Sequence, residues 1–241
     1  MIGFLLIDKP IGITSHDVVD RIRRITGEQR VGHAGTLDPL ASGLLIIGVG
    51  RDATKHMQEL SGLDKEYLAT FVLGASSETD DAEGKIQSFP PKTITEAELK
   101  SAISKLTGHL EQMPPRFSAK KVHGQKSYEA ARLGQTLEIK PSHITVYKMD
   151  LLPFPSNTIH TTCFPLTTPF RLDVLITCST GTYIRALARD LGQLLGTGGY
   201  VEKLRRTKIG NFKIEQALLL DNLLPDLTTT LIPVHKIVPM R

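Results

Sequence analysis

Cysteine is scarce in this 241-residue chain. Cys163 and Cys178 are the only two, and each lies in an apolar or β-branched run, where a small core residue is the ordinary reading. Two such residues supply neither a disulfide framework nor a cysteine-based metal site. The eight histidines include no His-x-x-x-His or His-Glu-x-x-His pair, so no metal is expected. Long apolar runs are missing too. Leu44–Val49 falls far short of the roughly 20 residues that a membrane-spanning helix needs. The N-terminal apolar run has no cation ahead of it and meets Asp8 and Lys9, which reads as a buried strand rather than a signal sequence. A cytoplasmic protein without membrane contact is expected. Internal repeats and low-complexity segments are absent, and the Gly-rich stretches match neither a dinucleotide fingerprint nor a phosphate-binding loop.

What is present suits a globular chain: 40% hydrophobic residues can build a core, and 22% charged residues is ordinary for a soluble surface. Lys plus Arg total 29 against 25 for Asp plus Glu, and the sequence pI is about 9.0. This small excess leans only slightly towards a polyanionic partner. Its distribution says more. Between 114 and 140, Arg116, Lys120, Lys121, Lys126, Arg132 and Lys140 face only Glu129 and Glu138. Between 201 and 213, Lys203, Arg205, Arg206, Lys208 and Lys213 face only Glu202. Two solvated faces and two nucleic-acid contacts both fit; the interspersed Phe117, Tyr128 and Phe212 favour the second.

The pattern of elements predicts a strand at Phe4–Asp8, then a turn-rich linker and a helix from a Ser15 cap to about Thr26. Val18, Ile22 and Ile25 share one helix face, and Asp20 and Arg24 are spaced to pair. A Gly-rich loop from Gly32 leads into a buried strand at Leu44–Val49. A short helix follows at about Ala53–Leu60, then a long strand at Lys65–Ala75. Thr95 and Glu98 form a capping-box signature for a helix ended by Gly108. Strands are predicted at Ile144–Leu152, Thr158–Phe164 and Leu172–Ser179, a helix at Thr182–Leu195, and an extended basic segment at Tyr200–Phe212. Regular βαβ alternation is missing, so the class is α+β, with a mixed, largely antiparallel central sheet flanked by helices and loops.

The segment Gly32-His-Ala-Gly-Thr-Leu-Asp-Pro-Leu-Ala-Ser-Gly-Leu-Leu carries the clearest chemistry. Its glycines permit close approach of a backbone or a base. His33 and Asp38 are its chemically active side chains, and Pro39 restricts the residue before it to extended geometry. Local pattern alone fits either a turn aspartate before proline or a catalytic carboxylate.

This segment resembles the Gly-His-x-Gly-x-Leu-Asp-Pro-x-Ala-x-Gly-x-Leu signature of the TruB family of tRNA pseudouridine synthases. Further blocks resemble the same family in the same order: Lys9-Pro10, Lys65-Glu-Tyr67, Pro115 through Ala119 and on to Tyr128–Arg132, Cys178-Ser-Thr-Gly-Thr-Tyr-Ile-Arg185, and Leu204-Arg-Arg. The likeness runs from about Phe4 to Val234. It implies a pseudouridine synthase fold and isomerisation of uridine 55 in the T loop of tRNA, with no cofactor. In the family's pattern Asp38 is the nucleophile; ribose and base ring are both open to its attack. Arg185 would pair with Asp38 and keep it ionised. Tyr67 would stack on the target base, and Leu204 would pack against it. His33 would fill the space vacated when the uridine is flipped out, a step that costs a few kcal/mol. Lys9 would support the pocket or a phosphate. Arg116, Lys120, Lys121 and Lys126 fall in what resembles an RNA-gripping insertion at about 114–140.

The resemblance further implies one catalytic domain over residues 1–241, without the C-terminal PUA-type domain of longer members. Binding of tRNA is then expected to be weaker and more salt-sensitive than theirs. The partner is the T arm of tRNA; no protein partner is evident, and a monomer is expected. Two other readings use the same residues, an RNA-binding or RNA-folding protein and a nucleosidase that cuts without rejoining.

Overall fold

Strands Gly3–Lys9 (β1) and Ser42–Val49 (β3) are apolar at nearly every position, which a strand needs only when both faces of its sheet are covered. They pair antiparallel, with Leu5 opposite Ile47 and Leu6 opposite Ile46. Alternate residues therefore enter different cores. Leu5, Ile7, Leu45, Ile47 and Val49 pack with Val18, Val19 and Ile22 of the helix Ser15–Thr26 (α1). Phe4, Leu6, Leu44 and Ile46 pack on the other face with Ala53 and Leu60. Those two residues come from the short helices Arg51–Thr54 (α2) and Met57–Ser61 (α3).

The computed structural model describes residues 2–117, 140–153, 169–223 and 230–237, together with the backbone of 121–122, 125–126 and 163–166. The chain forms two compact units, residues 1–67 with 204–241, and residues 68–203. Strand Val31–Ala34 (β2) lies beside β3 in the first unit. Strands Lys65–Leu73 (β4) and Gly199–Ile209 (β14) each carry the chain from one unit to the other. The first unit's order is β16-β1-β3-β14, where β16 is Leu218–Leu219; Phe212–Lys213 (β15) pairs with β14.

The second unit orders β4, Phe170–Cys178 (β13), Ser142–Leu151 (β11) and Gly108–Gln112 (β8). Ala75–Ser77 (β5) pairs with Ile86–Ser88 (β6), and Lys92–Thr95 (β7) pairs with Cys163–Leu166 (β12). Lys121–Val122 (β9) and Gln125–Lys126 (β10) form a small antiparallel ribbon. The helices Glu96–Lys105 (α4) and Ile184–Leu195 (α5) bury Leu99, Ala102 and Ile103, and Leu187, Leu191 and Leu195. A last short helix is Val234–Ile237 (α6). The described pairings are antiparallel except β1 with β16 and β3 with β14. The class is α+β with a mixed, largely antiparallel sheet, as the sequence predicts. No helix among the described residues is long and apolar enough to cross a membrane.

Several expectations are corrected. Thr14, not Ser15, caps α1, in a reciprocal box with Asp17. Ser15 lies inside the helix because its hydroxyl has another task, described below. Asp20 pairs with Arg23 at 2.9 Å rather than with Arg24, whose Nε donates to the Asp20 carbonyl. The Gly-rich loop begins as strand: Gly32, His33 and Ala34 already pair with β3. The helix expected at 53–60 is broken into α2 and α3, and the strand expected to reach Ala75 ends at Leu73, before Gly74 at φ +94°. Of the strand expected at 158–164, residues 158–162 lie outside the described residues. Cys178 is buried and is in no disulfide among the described residues; the side chain of Cys163 lies outside the description.

Candidate active site

Asp38 sits half-buried on the seven residues 35–41 between β2 and β3. Leu37, Leu40 and Ala41 are buried around it, so the loop is anchored by apolar side chains on both sides of the carboxylate. Polar tethers complete the fixation. The Leu37 amide donates to Ser15 Oγ at 2.8 Å, and Ser15 Oγ donates to the Leu37 carbonyl at 3.2 Å. Ala41 N donates to the Asp38 carbonyl at 3.0 Å, and Gly12 N to the Pro39 carbonyl at 2.8 Å. A buried hydroxyl that spends itself on the residue before the aspartate explains why Ser15 is not free to cap its helix.

The turn that supplies Gly12 is itself organised by Lys9. This lysine is fully buried, and its Nζ donates to the carbonyls of Pro10 at 2.8 Å and Ile13 at 2.7 Å. Lys65 is buried in the same manner, donating to the carbonyls of Ser61 and Leu63. Arg206 donates from Nε to the Leu44 carbonyl at 2.7 Å and from Nη2 to the Gly35 carbonyl at 3.0 Å. Gly35, at φ +84°, makes the turn out of β2. Gly43 sits where a Cβ would lie 2.3 Å from the Arg206 carbonyl oxygen, so only glycine lets β3 and β14 run side by side.

His33 is partly buried on β2, and its Nδ1 is buried without a hydrogen-bond partner among the described residues. Burial chiefly, then the neighbouring Arg206 and His16, hold its basicity below the usual histidine value. Tyr67 and Leu204 are both buried, on β4 and β14 in the same unit as Asp38. Next to Leu204, Arg205 forms a two-point ion pair with Asp8, at 3.0 and 2.6 Å.

Arg185 belongs to the second unit, on α5. It is buried rather than a surface cation, and pairs with the equally buried Asp81 at 2.9 Å. Its Nη1 also donates to the Thr79 carbonyl at 3.0 Å and its Nη2 to the Phe117 carbonyl at 2.9 Å. One helical turn on, Arg189 pairs with Asp80 at 3.0 Å and with Asp190, and donates to the Met113 carbonyl. The like-charged pair at i, i+4 is thus resolved by two consecutive aspartates, each taking one guanidinium. Asp80 adopts φ +61°, and burial raises its carboxyl above the usual range against the opposing pull of Arg189. Gln112 receives the Tyr183 amide at 2.8 Å and donates to the Tyr183 carbonyl at 3.0 Å, fixing the residue at which α5 begins.

Of the predicted RNA contacts, Arg116 is exposed on the segment 113–117 that Arg185 and Arg189 hold by its carbonyls. Lys120 lies outside the described residues. Lys121 and Lys126 are cross-strand partners in the β9–β10 ribbon, their side chains outside the description. The second basic stretch is less uniform than its composition suggests. Arg205 is engaged by Asp8, Arg206 is buried, and Phe212 packs against the core beside Phe4 and Leu6. From sequence, Ser15 is expected only as a helix cap, and Asp81, Gln112 and an individual role of Arg206 are not expected at all. None of these left a clear signal: the positions that alternate with Arg206 on β14 include Glu202 and Lys208, so the strand pattern does not single it out.

Residues 23–184 match the TruB family pseudouridylate synthase (N terminal domain), and residues 185–231 match the tRNA pseudouridylate synthase B C-terminal domain. A tRNA pseudouridine synthase B of Thermobifida fusca is 46% identical over 227 residues, covering 94% of this chain and 75% of that protein. One of Mycobacterium bovis is 46% identical over 222 residues, covering 92% and 71%. Among solved structures, a Cbf5-Nop10-Gar1 complex superposes with TM-score 0.65 at 27% identity, covering 92% of this chain and 53% of that one. An H/ACA RNP bound to a substrate RNA containing 2′-deoxyuridine superposes with TM-score 0.64 at 26% identity, with 92% and 52% covered. The chain spans about half the length of these solved chains.

Proposed function

Because the chain belongs to the TruB family of pseudouridylate synthases, we propose that it converts uridine 55 in the T loop of tRNA to pseudouridine, with Asp38 as nucleophile. The observation that carries the reading is the fixation of the Asp38 loop. Ser15, Gly12 and Arg206 tie down residues on both sides of one half-buried carboxylate, which is what a positioned nucleophile requires.

The reaction breaks the bond between C1′ and N1, turns the uracil, and forms a bond between C1′ and C5. The proton on C5 leaves and N1 gains one, so the product is an isomer and no redox partner is called for. Asp38 attacks the nucleotide, at the ribose or the base ring, and departs when the new bond forms. Arg185 is the cation that keeps Asp38 ionised and oriented. Tyr67 stacks on the base and Leu204 packs against it. The uridine is reached by flipping, and His33, planar and poor in charge, fills the place it leaves. Lys9 holds the turn behind the loop, and Arg116, Lys120, Lys121 and Lys126 take phosphates of the T arm. The protein acts in the cytoplasm as a monomer.

The test is tritium release from C5-tritiated uridine in an unmodified tRNA transcript, wild type beside Asp38→Asn. Release by wild type alone, mapped to the T loop, is the expected result. Binding of the transcript without release would leave an RNA-binding protein, and free uracil would indicate a nucleosidase.

A further inference from the structure

Arg206 is among the largest fully buried side chains, at 1% exposure. Strand alternation on β14 turns it inward while Arg205 turns outward to Asp8. Among the described residues no carboxylate pairs with it; its hydrogen bonds go to the carbonyls of Gly35 and Leu44. A buried cation without a counter-charge is expensive, and an apolar side chain of similar volume would fill the space at lower cost. Its two acceptors explain why the cation is there. Gly35 is the first residue after β2 and Leu44 the third of β3, so one rigid fork spans the entry and the exit of the loop that carries Asp38. The strand backbone repeats the constraint, since Arg206 and Gly43 are register partners in the parallel β3–β14 pair.

We propose that Arg206 is a positioning residue for the isomerisation, setting the Asp38 loop through the Gly35 and Leu44 carbonyls without touching the RNA. The inference rests on the assignment of Asp38 as nucleophile. Its charge has a second consequence: after burial, it is the next cause that lowers the basicity of His33.

Lysine tests the fork directly, because Arg206→Lys keeps the charge but presents one nitrogen instead of a rigid pair of donors. The readouts are the single-turnover rate on a tRNA transcript, the Kd for the same transcript, and the folded fraction by circular dichroism. Arg206→Lys is expected to bind tRNA as wild type does and to lose roughly 10²-fold in rate per folded molecule, as a small misplacement of a reacting group does. Gly35→Ala strains the same turn from the other side and is an independent variant, since the added Cβ would meet Arg206 Nη1 at 3.5 Å, an ordinary contact. It too should slow the reaction while sparing Kd, and the two losses should not multiply in the double variant. A wild-type rate in folded Arg206→Lys, a loss that only follows the folded fraction, or fully multiplicative losses would overturn the proposal. An inactive wild type would instead remove the Asp38 assignment on which it stands.

Discussion

At His33 a functional demand and a stability cost meet in one side chain. In the role proposed for it, a planar group entering an RNA stack, this side chain is best uncharged, and burial with Arg206 nearby depresses its basicity from the ordinary 6.5. The folded protein therefore takes up a proton on this imidazole less readily than the unfolded chain does. Unfolding then binds protons, so this residue's contribution to stability is present above pH 6.5 and is lost as pH falls below it. Urea unfolding on either side of that pH should show wild type losing more stability on acidification than His33→Gln. Equal slopes for the two proteins would mean that the ring titrates normally in the folded state. Arg206 enters the same balance, so His33 and Arg206 are expected to be coupled although their tasks differ.

Among elements, the pairing of α5 with the Thr79–Asp81 turn shows how far local pattern reaches. The apolar face of α5, the Thr95–Glu98 capping box and the strand at Gly3–Lys9 follow from spacing alone, because their partners are a few residues away or are simply the core. Asp38 was legible through its motif, not through any property of aspartate before proline. Asp81 was not legible: it lies 104 residues from Arg185, in a turn whose polar composition predicts nothing beyond exposure. Ser15 misled for the complementary reason, since a serine at a helix start looks like a cap until the distant Leu37 claims it. The Asp81–Arg185 pair is nearly sealed from water, with side chains 3% and 7% exposed. Removing the carboxylate takes away the ion-pair partner of a buried guanidinium. Asp81→Ala should destabilise the protein by about 3 kcal/mol or more. Activity should also fall further than the folded fraction, because Arg185 loses the group that aims it. Chemical unfolding and single-turnover rates on the same preparations separate the two effects, and a fully active, equally stable variant would contradict both.

For the molecule as a whole, a net charge of +4 is too small to steer a polyanion by itself, so the placement of the cations decides how RNA is held. The structure withdraws two cations of the second basic stretch, Arg205 to Asp8 and Arg206 to the interior, leaving Lys203, Lys208 and Lys213. On the proposed reading, the insertion then has to carry more of the phosphate contact than composition implied. Its Lys121 and Lys126 stand opposite each other on a two-stranded ribbon. Its entry at 113–117 is held by the same two arginines that bind Asp80 and Asp81. Each phosphate neutralised by a lysine releases counterions, so log K falls linearly with log salt by roughly 0.7 to 0.9 per contact. Replacing Lys120, Lys121 and Lys126 together by Gln should weaken tRNA binding and flatten that line by roughly 2 to 3. The rate at saturating tRNA should persist, because Asp38, Tyr67 and Arg185 are untouched; the loss appears in KM. An unchanged salt slope would move the phosphate contacts to other cations, and a collapse of the saturated rate would mean that the insertion helps to build the catalytic geometry itself.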